Sequence, residues 1–296
     1  MKNYLIIFLF LCLFCVPLLF QEKEETPVEV DAGQVQQKWN LPSSITLSPS
    51  NEVVELEAYV MGVVAAEMPA SYEMEALKAQ AVAARTYAIY KSEKMTKPIE
   101  TTTQHQVYFP VNNLAEKYEQ KVKEAVESTA AQMITYNDEI ISAMFHAASN
   151  GLTESSENYS GASIPYLQSV QSPERKQTKH DFTLKQFNHL LGTTLTLQEI
   201  GQAKLTHNNT ERVKEVKIAK KSWTGRQFRE QLGLASTDFK IAVIDGTIKI
   251  EANGYGHGLG MSQNGANELA RQGYTYEKIL MHYYQGIEIA KFTKIP

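Results

Sequence analysis

Residues 54–90 read VELEAYVMGVVAAEMPASYEMEALKAQAVAARTYAIY. The apolar side chains in the first part of this stretch recur at the spacing of one helix face: Leu56, Val60 and Val63. Pro69 disfavours helical geometry in the residue before it, so the first helix is expected to end at about Glu67. An alanine-rich second helix is expected over residues 73–91. The stretch therefore predicts two helices joined at a proline.

Glu67 is the first candidate for chemistry, because it continues the apolar face of the first helix. Burial and the negative end of the helix dipole both disfavour its ionised form, which raises its pKa. A carboxyl group that stays partly protonated is what a general acid needs. The ordinary alternative is that Glu67 caps a helix turn or pairs with Lys78 or Arg85. Those two cations are either a solvated edge of the second helix or contacts for Glu67 and substrate oxygens.

The composition limits the classes of protein that fit. The chain has 296 residues, of which 43% are hydrophobic and 21% are charged, with a net charge of −4. This is enough chain for one large domain or two small ones, and it does not suggest nucleic-acid binding. Both cysteines, Cys12 and Cys15, lie in the N-terminal apolar run. The remainder therefore has no disulfide, cysteine nucleophile or thiolate metal site.

The N-terminal part predicts a membrane anchor followed by a stalk. The apolar run at 4–20 approaches the length of a membrane helix, and its flanking charges place the N-terminus in the cytoplasm. Because no small-residue cleavage site follows it, we expect a retained anchor over 1–20 rather than a cleaved signal peptide. Residues 21–51 are polar and contain prolines, which favours a stalk, and 52–296 form the predicted domain.

Polar loops beside predicted strands supply further candidates. Asn137-Asp138 and Asp245-Gly246 each separate two β-rich runs, which is typical of hairpins. The first hairpin leads to His146, and the second feeds the glycine-rich loop GYGHGLGMSQ at 254–263, which contains Tyr255, His257 and Gln263. Glycine at this density lets the backbone approach a ligand closely. The predicted fold is α+β, with a helical hairpin packed on antiparallel β-hairpins, outside the cytoplasm on a single N-terminal transmembrane helix.

A metal site is a weaker alternative. His146, His257 and His282 could serve a metallohydrolase, but the chain has no H-E-x-x-H motif and no thiolate near His146. The glycine-rich loop also lacks the order of a nucleotide-binding fingerprint, and there is no G-x-S-x-G elbow. We therefore predict neither a metal nor a cofactor.

Three segments occur in order along the chain: GVVAAEMPASYEMEALKAQAVAARTYA, FHAASNGLTESSENYSGASIPYLQSV and GYGHGLGMSQNGANELARQGYTYEKILMHYYQG. Together they resemble the stage II sporulation protein D family, whose domain is shared with the amidase-enhancer proteins. The resemblance covers about 52–289. It departs from the family where some members bind zinc through a His and two Cys, since only His146 is present here. Asn264 also replaces a tyrosine of the family pattern.

The resemblance implies a lytic transglycosylase that cleaves the bond between N-acetylmuramic acid and N-acetylglucosamine in peptidoglycan. Glu67 matches the family's catalytic acid. It would protonate the leaving oxygen and then deprotonate the muramic acid 6-hydroxyl, which closes a 1,6-anhydro ring. This chemistry needs only one carboxyl group. We expect six further residues to orient the substrate: Lys78, Arg85, His146, Tyr255, His257 and Gln263.

The resemblance also implies a setting and partners. The expected site of action is the sporulation septum during engulfment in endospore formation, with the protein in the cell membrane. The expected partners are peptide-stripped glycan strands, a stage II sporulation protein P-like amidase and its membrane scaffold. An alternative is a binding protein without catalytic activity that attaches to the wall and activates an N-acetylmuramoyl-L-alanine amidase.

Overall fold

A computed structural model of the chain describes residues 39–69, 71–102, 105–110 and 115–295. The helices in these ranges are α1 (Leu56–Glu67), α2 (Met74–Lys91), α3 (Glu116–Ser128), α4 (Ser156–Ser160), α5 (Leu184–Leu191), α6 (Leu197–Gly201), α7 (Gly225–Leu232), α8 (Gln263–Arg271) and α9 (Tyr276–Tyr283). The strands are β1 (Asn40–Pro42), β2 (Ser44–Ser48), β3 (Val53–Glu55), β4 (Ile99–Glu100), β5 (Gln132–Tyr136), β6 (Glu139–Ile140), β7 (Phe145–His146), β8 (Gln177–Phe182), β9 (Lys204–His207), β10 (Val213–Ile218), β11 (Lys221–Thr224), β12 (Asp238–Ile244), β13 (Thr247–Asn253), β14 (Met261–Ser262), β15 (Glu288–Lys291) and β16 (Thr293–Ile295).

The helix boundaries around Pro69 follow the sequence. The carboxylate of Glu55 accepts a hydrogen bond from the Ala58 N–H at 3.0 Å, which caps the start of α1. At its other end α1 stops at Glu67, because Met68 has extended backbone with φ −123° and ψ 137°. The predicted end of the first helix at Glu67 is confirmed. This end places the Glu67 side chain on the last turn of a helix.

Helix α2 is the centre of the larger of two hydrophobic cores. It packs against α1, α3, α8, α9 and strand β5. Its alanines are fully buried, and their small side chains let these elements approach closely. We call this part of the molecule the helical lobe. It comprises the described residues between 39 and 172 together with 259–295.

A second core lies under antiparallel sheets and forms what we call the sheet lobe, residues 177–253. One sheet has the strand order β12-β13-β8 and the other β11-β10-β9, with α5, α6 and α7 packed on them. The rings of Phe228 and Phe239 stack in its centre with centroids 5.4 Å apart. The hairpin predicted at Asp245-Gly246 is confirmed as the β12–β13 turn, where both residues have positive φ of 49° and 77°.

One short parallel pair could not be predicted from local sequence. Strand β7 pairs with β14, so that Phe145 lies opposite Met261 and His146 lies opposite Ser262. Met261 and Ser262 end the glycine-rich loop. The pair therefore fixes that loop against the strand of His146.

The predicted α+β class is confirmed, but its membrane part is wrong for the described residues, and the packing on β-hairpins holds only for β5 and β6. Within 39–69, 71–102, 105–110 and 115–295, no helix combines the length and apolar character needed to cross a bilayer. The apolar run predicted as an anchor, 1–20, lies outside the described residues. The α1–α2 hairpin packs mainly on other helices and on β5, because its alanine-rich faces fit helices closely. The three-stranded antiparallel sheets with the longest strands belong to the sheet lobe and not to the helical lobe.

The boundary of the predicted stalk also differs. Strand β1 begins at Asn40 and pairs in parallel with β16, and β2 pairs with β3 and β4. Leu41, Ile45 and Leu47 are buried. The last part of the segment predicted as a stalk, from Asn40, therefore contributes strands to the helical lobe.

Candidate active site

Glu67 is held by two hydrogen-bond donors from distant parts of the chain. The side-chain amide of Gln263 donates to its Oε2 at 3.0 Å. The backbone N–H of Val107 donates to its Oε1 at 3.3 Å. Gln263 begins α8, and the preceding Ser262 caps that helix by accepting the Gly265 N–H. The start of α8 is thus what places an amide beside the end of α1.

The pKa of Glu67 is raised above its ordinary value because burial penalises the carboxylate. The hydrogen bonds from Gln263 and Val107 act in the opposite direction without cancelling that effect. Glu67 forms no ion pair with any cation among the residues that the structure describes. Its carboxyl group is therefore a candidate proton donor rather than half of a salt bridge.

Lys78 and Arg85 form their ion pairs with carboxylates other than Glu67. Arg85 is fully buried, and its guanidinium pairs with the Glu57 carboxylate at 2.6 Å and donates to the Gln132 carbonyl at 3.1 Å. Lys78 pairs with Glu75 at 2.8 Å. The expectation that Arg85 orients a substrate is corrected here, since its side chain has no exposed surface. Arg85 instead binds α1 and β5 to α2.

His146 and His257 do lie together, with ring centroids 5.8 Å apart. His146 is only 4% exposed, and its Nδ1 is 3.1 Å from the Leu259 carbonyl oxygen. Burial lowers the pKa of His146 well below its ordinary value. Its Nε2 is buried and has no hydrogen-bond partner among the described residues. The neutral, buried ring of His146 therefore supports the glycine-rich loop through its contact with Leu259.

His257 occupies the more open position of the two. Burial, followed by the positive charge of Arg229, lowers its pKa to about 4. Its Nδ1 accepts the Leu259 N–H at 3.0 Å, so the imidazole is neutral at neutral pH. The preceding Tyr255 is 49% exposed, and the Lys176 ammonium lies 5.2 Å from its ring centroid. Tyr255 thus offers an aromatic surface beside the histidines.

A glycine makes this loop possible at one position in particular. Gly260 has φ +66°, and a Cβ built there would lie 1.9 Å from the Met144 carbonyl oxygen. Only glycine therefore lets the loop reach the backbone before β7.

The metal alternative is not supported by the arrangement of the histidines. No group of three or more His, Cys, Asp or Glu side chains that could hold a metal ion occurs in the part of the chain that the structure describes. The Nε2 of His282 instead lies 2.7 Å from the Gln171 carbonyl oxygen.

Two features of the site were missed from the sequence. The Val107 N–H is a backbone donor and leaves no residue signature. It reaches Glu67 because Gly62, inside α1, leaves room for the chain beside it, where a Cβ would lie 2.3 Å from the Tyr108 ring. In the sequence, the glycine inside the predicted first helix was the one signal that another segment approaches α1 closely there. The second feature is that Asn264 accepts a hydrogen bond from the Tyr72 hydroxyl, which links the residue after Gln263 to the α1–α2 connection.

Comparison with known proteins places these residues in a family. The family model described as stage II sporulation protein matches residues 48–136, which include Glu67. Stage II sporulation protein D of Bacillus subtilis (strain 168) is 39% identical over 272 residues, covering 85% of this chain and 79% of that protein. The chain belongs to the stage II sporulation protein D family. The resemblance drawn from the sequence motifs is confirmed.

Other relatives agree with that membership. Stage II sporulation protein D of Bacillus amyloliquefaciens is 38% identical over 272 residues, covering 85% of this chain and 79% of that protein. The amidase enhancer of Bacillus subtilis (strain 168) is 30% identical over an alignment of 294 residues, which covers 78% of this chain and 40% of that protein. This stage II sporulation protein D family member is therefore similar both to sporulation proteins and to a protein named for its effect on an amidase.

Proposed function

We propose that this family member is a peptidoglycan lytic transglycosylase whose acid and base is Glu67. The observation that carries the proposal is a partly buried carboxyl group with a raised pKa and two aligned donors, from Gln263 and Val107. Such a group holds its proton at neutral pH more readily than an exposed glutamate does. It is also fixed in direction, which a general acid requires.

The proposed reaction uses Glu67 twice. Its protonated carboxyl gives a proton to the glycosidic oxygen as the bond from that oxygen to C1 of N-acetylmuramic acid breaks. The resulting carboxylate then takes the proton of the C6 hydroxyl, whose oxygen bonds to C1 and closes the 1,6-anhydro ring. Glu67 ends the cycle protonated, and no water is consumed. The pair of carboxylates used by ordinary glycosidases is therefore not needed.

The other site residues take different roles in this proposal. Gln263 holds the Glu67 carboxyl group, and His146 supports the loop of His257 from within. Tyr255 is exposed enough to stack on a sugar ring, while Lys176 lies over its ring. Arg85 joins α2 to α1, Lys78 pairs with Glu75 within α2, and both are left out of the substrate contacts.

We infer the location and the partner of this protein from its proposed substrate. Glycan strands lie outside the cytoplasm, so we place the protein at the wall of the sporulation septum. A stage II sporulation protein P-like amidase would remove the stem peptides first and thereby supply peptide-free strands.

A second candidate function is supported by the similarity to the amidase enhancer. In this alternative, the chain binds the wall and stimulates an amidase without cleaving glycan. The raised pKa of Glu67 then has no catalytic use, which makes it the less economical account of the site.

Digestion of purified peptide-free strands by the full chain, with no amidase present, separates the two functions. The transglycosylase proposal expects 1,6-anhydro ends in the products, detected by mass spectrometry. The activator alternative expects intact strands, together with faster peptide release when an amidase is added.

A further inference from the structure

A buried carboxylate that the proposed reaction does not use lies against the start of α8. Glu174 is 9% exposed and lies in the connection between the helical lobe and the sheet lobe. None of the ion pairs between described residues includes it. Glutamate is seldom buried without a partner, so other groups must compensate this charge.

Three hydrogen-bond donors take the place of a cation at Glu174. The Ser149 N–H donates to its Oε1 at 2.7 Å, and the Ser262 hydroxyl donates to the same oxygen. The Ser172 hydroxyl donates to Oε2, and the Tyr283 hydroxyl oxygen lies 2.8 Å from that of Ser172. An ionised carboxylate only accepts hydrogen bonds, which suits a site surrounded by donors. Both oxygens of Glu174 are therefore occupied by the protein itself.

One of these donors, Ser262, caps the helix that reaches Glu67. The Ser262 hydroxyl gives its hydrogen to Glu174, and its oxygen accepts the Gly265 N–H at 3.2 Å. Because a hydroxyl has one hydrogen, the bond to Glu174 fixes the direction in which the oxygen faces the helix. The residue after the cap, Gln263, donates its side-chain amide to Glu67 at 3.0 Å. The cap and the site are thus neighbours in the same turn.

A glycine lets the carboxylate come this close to α8. A Cβ built at Gly265 would lie 2.4 Å from Oε2 of Glu174. It would also lie 2.3 Å from the Ser172 hydroxyl oxygen and 2.1 Å from that of Tyr283. Any side chain at this position would therefore push the cluster away from the helix. A negative charge at the start of a helix also interacts favourably with the helix dipole.

The residue on the other side of Gln263 is held by separate contacts. The Asn264 N–H donates to the Ala147 carbonyl at 3.0 Å, and its side chain accepts a hydrogen bond from the Tyr72 hydroxyl. Asn264 therefore fixes the path of the main chain, while Ser262 fixes the cap. Gln263 lies between these two residues.

We propose that Glu174 is a positioning residue of the candidate active site, which acts on Glu67 through other residues. Its bond to the Ser262 hydroxyl holds the first turn of α8, and that turn keeps the Gln263 amide on the Glu67 carboxyl group. This inference rests on the proposed function for its catalytic meaning. The two buried acids then have different tasks: Glu67 exchanges the proton, and Glu174 fixes the donor beside it.

The test follows the pKa of Glu67 by isotope-edited NMR of the glutamate carboxyl groups in the full chain. Glu174→Ala removes the acceptor of the Ser262 hydroxyl, so the first turn of α8 loosens and the Gln263 amide leaves Glu67. The pKa of Glu67 should then rise, because a donor that favours its carboxylate is lost. Loss of the Glu174 charge alone would lower that pKa, so the direction of the shift separates positioning from a direct charge effect.

A second background shows whether the effect passes through Gln263. In Gln263→Met the amide is already absent, so adding Glu174→Ala should not raise the pKa of Glu67 further. A role confined to stability would lower the urea midpoint in both backgrounds and leave the pKa in place. Ser172→Ala is the matched control, since it removes another hydroxyl donor to Glu174 but not the cap of α8. Glu251→Ala is the exposed control.

Two further variants guard against loss of the fold. Glu174→Gln keeps the size of the side chain, and its amide oxygen can still accept from Ser262 while its NH2 group faces the Ser172 hydroxyl. This variant should keep the pKa of Glu67 close to that of the unsubstituted chain. Ser262→Ala removes the other half of the bond and should raise the pKa as Glu174→Ala does.

Kinetics supply an independent measurement of the same role. Glu174 has no free carboxylate oxygen for a substrate, so Glu174→Ala should leave the KM for glycan strands unchanged. The kcat for anhydro-end formation should fall about 10–100-fold, as a small displacement of a catalytic group implies. An increased KM with an unchanged kcat would contradict a positioning role.

The inference is overturned if the pKa of Glu67 is unchanged or lowered in the folded Glu174→Ala and Ser262→Ala chains. An equal rise in the Gln263→Met background would overturn it as well. The proposed function fails differently: the unsubstituted chain would form no anhydro ends. The pKa of Glu67 is measured without substrate, so the positioning role is tested whichever way that assay turns out.

Discussion

The side-chain amide of Gln263 donates a 3.0 Å hydrogen bond to the carboxylate of Glu67, across 196 positions of sequence. Glu67 ends α1 and Gln263 begins α8, so two helix ends meet at this bond. The bond favours the ionised carboxylate, while burial favours the protonated form. The pKa of Glu67 is therefore raised by burial and is partly lowered again by the amide that α8 holds beside it.

The first prediction concerns Gln263→Met. Without the donor, the Glu67 carboxylate loses stabilisation and its pKa rises further. Because the reaction begins with protonated Glu67, activity should persist to higher pH than in the unsubstituted chain. The pH profile of anhydro-end formation measures this shift. Gln120→Met, on the exposed side of α3, is the control. The prediction is rejected if the pH at which the Gln263→Met variant loses activity on the alkaline side is unchanged or lower.

The second prediction concerns Gly62→Ala. A Cβ at this position would lie 2.3 Å from the Tyr108 ring and 2.5 Å from the Phe109 carbonyl oxygen. The segment must therefore move off α1, which withdraws the Val107 N–H from Glu67. We expect the alkaline fall in the pH profile of anhydro-end formation to shift to higher pH. We also expect a loss of about 1–3 kcal/mol in the free energy of unfolding, measured by urea denaturation.

The control for this variant is another helical glycine. A Cβ at Gly201 would meet Val243 at 3.9 Å, which is ordinary contact. Gly201→Ala should therefore leave the pH profile unchanged and the stability equal or higher. If Gly62→Ala behaved like Gly201→Ala, the proposed approach of the 105–110 segment to Glu67 would be refuted.

The third prediction separates a bracing role of Arg85 from a substrate role. Arg85→Met leaves the largely buried Glu57 carboxylate with only Lys294 at 3.2 Å and the Ala131 N–H, which should cost up to about 3–5 kcal/mol in unfolding free energy. Adding Glu57→Gln should recover part of that loss, because it removes a charge that is then only partly compensated. The KM for glycan strands should stay unchanged in the folded fraction. An increased KM without a loss of stability would instead restore Arg85 as a substrate contact.

The fourth prediction concerns the pH dependence of stability. The pKa of His257 is lowered from 6.5 to about 4 in the folded chain, so between these values the unfolded chain binds more protons. The contribution of His257 to stability is therefore complete above pH 6.5 and is lost as the pH falls towards about 4. Urea denaturation should show a smaller decline between pH 7 and pH 5 in His257→Gln. An equal decline in both chains would show that His257 is not the cause.

Arg229→Gln provides an independent check on the same histidine. Removing the guanidinium leaves burial as the main cause of the lowered pKa, so the His257 pKa should rise from about 4. Titration of the imidazole by NMR measures it directly. A pKa that did not move would place the Arg229 charge away from His257.

The sequence predicted the local elements well where short-range physics decides them. Pro69 ends α1, and the turn pairs Asn137-Asp138 and Asp245-Gly246 adopt the positive φ values that make hairpins. The sequence also allows Glu67 to be predicted as a catalytic candidate, because helical periodicity places it on the apolar face of α1. The hydrogen bond between Glu67 and Gln263 could not be predicted, since it forms only where two helix ends meet in the folded chain.

The errors have a common physical origin in long-range contacts. Arg85 was assigned to substrate because nothing local indicates Glu57, which lies on another helix. The division into two lobes and the β7–β14 pair likewise depend on which strands meet in three dimensions.

The central claim is that Glu67 carries out both proton transfers. The most direct measurement compares Glu67→Gln with the exposed control Glu124→Gln, using the full chain, peptide-free strands and mass spectrometry of the sugar ends. We predict that Glu67→Gln forms anhydro ends at least about 100-fold more slowly while keeping its fold, as loss of a general acid implies. Glu124→Gln should match the unsubstituted chain. Anhydro ends formed at the full rate by a folded Glu67→Gln chain would contradict the account.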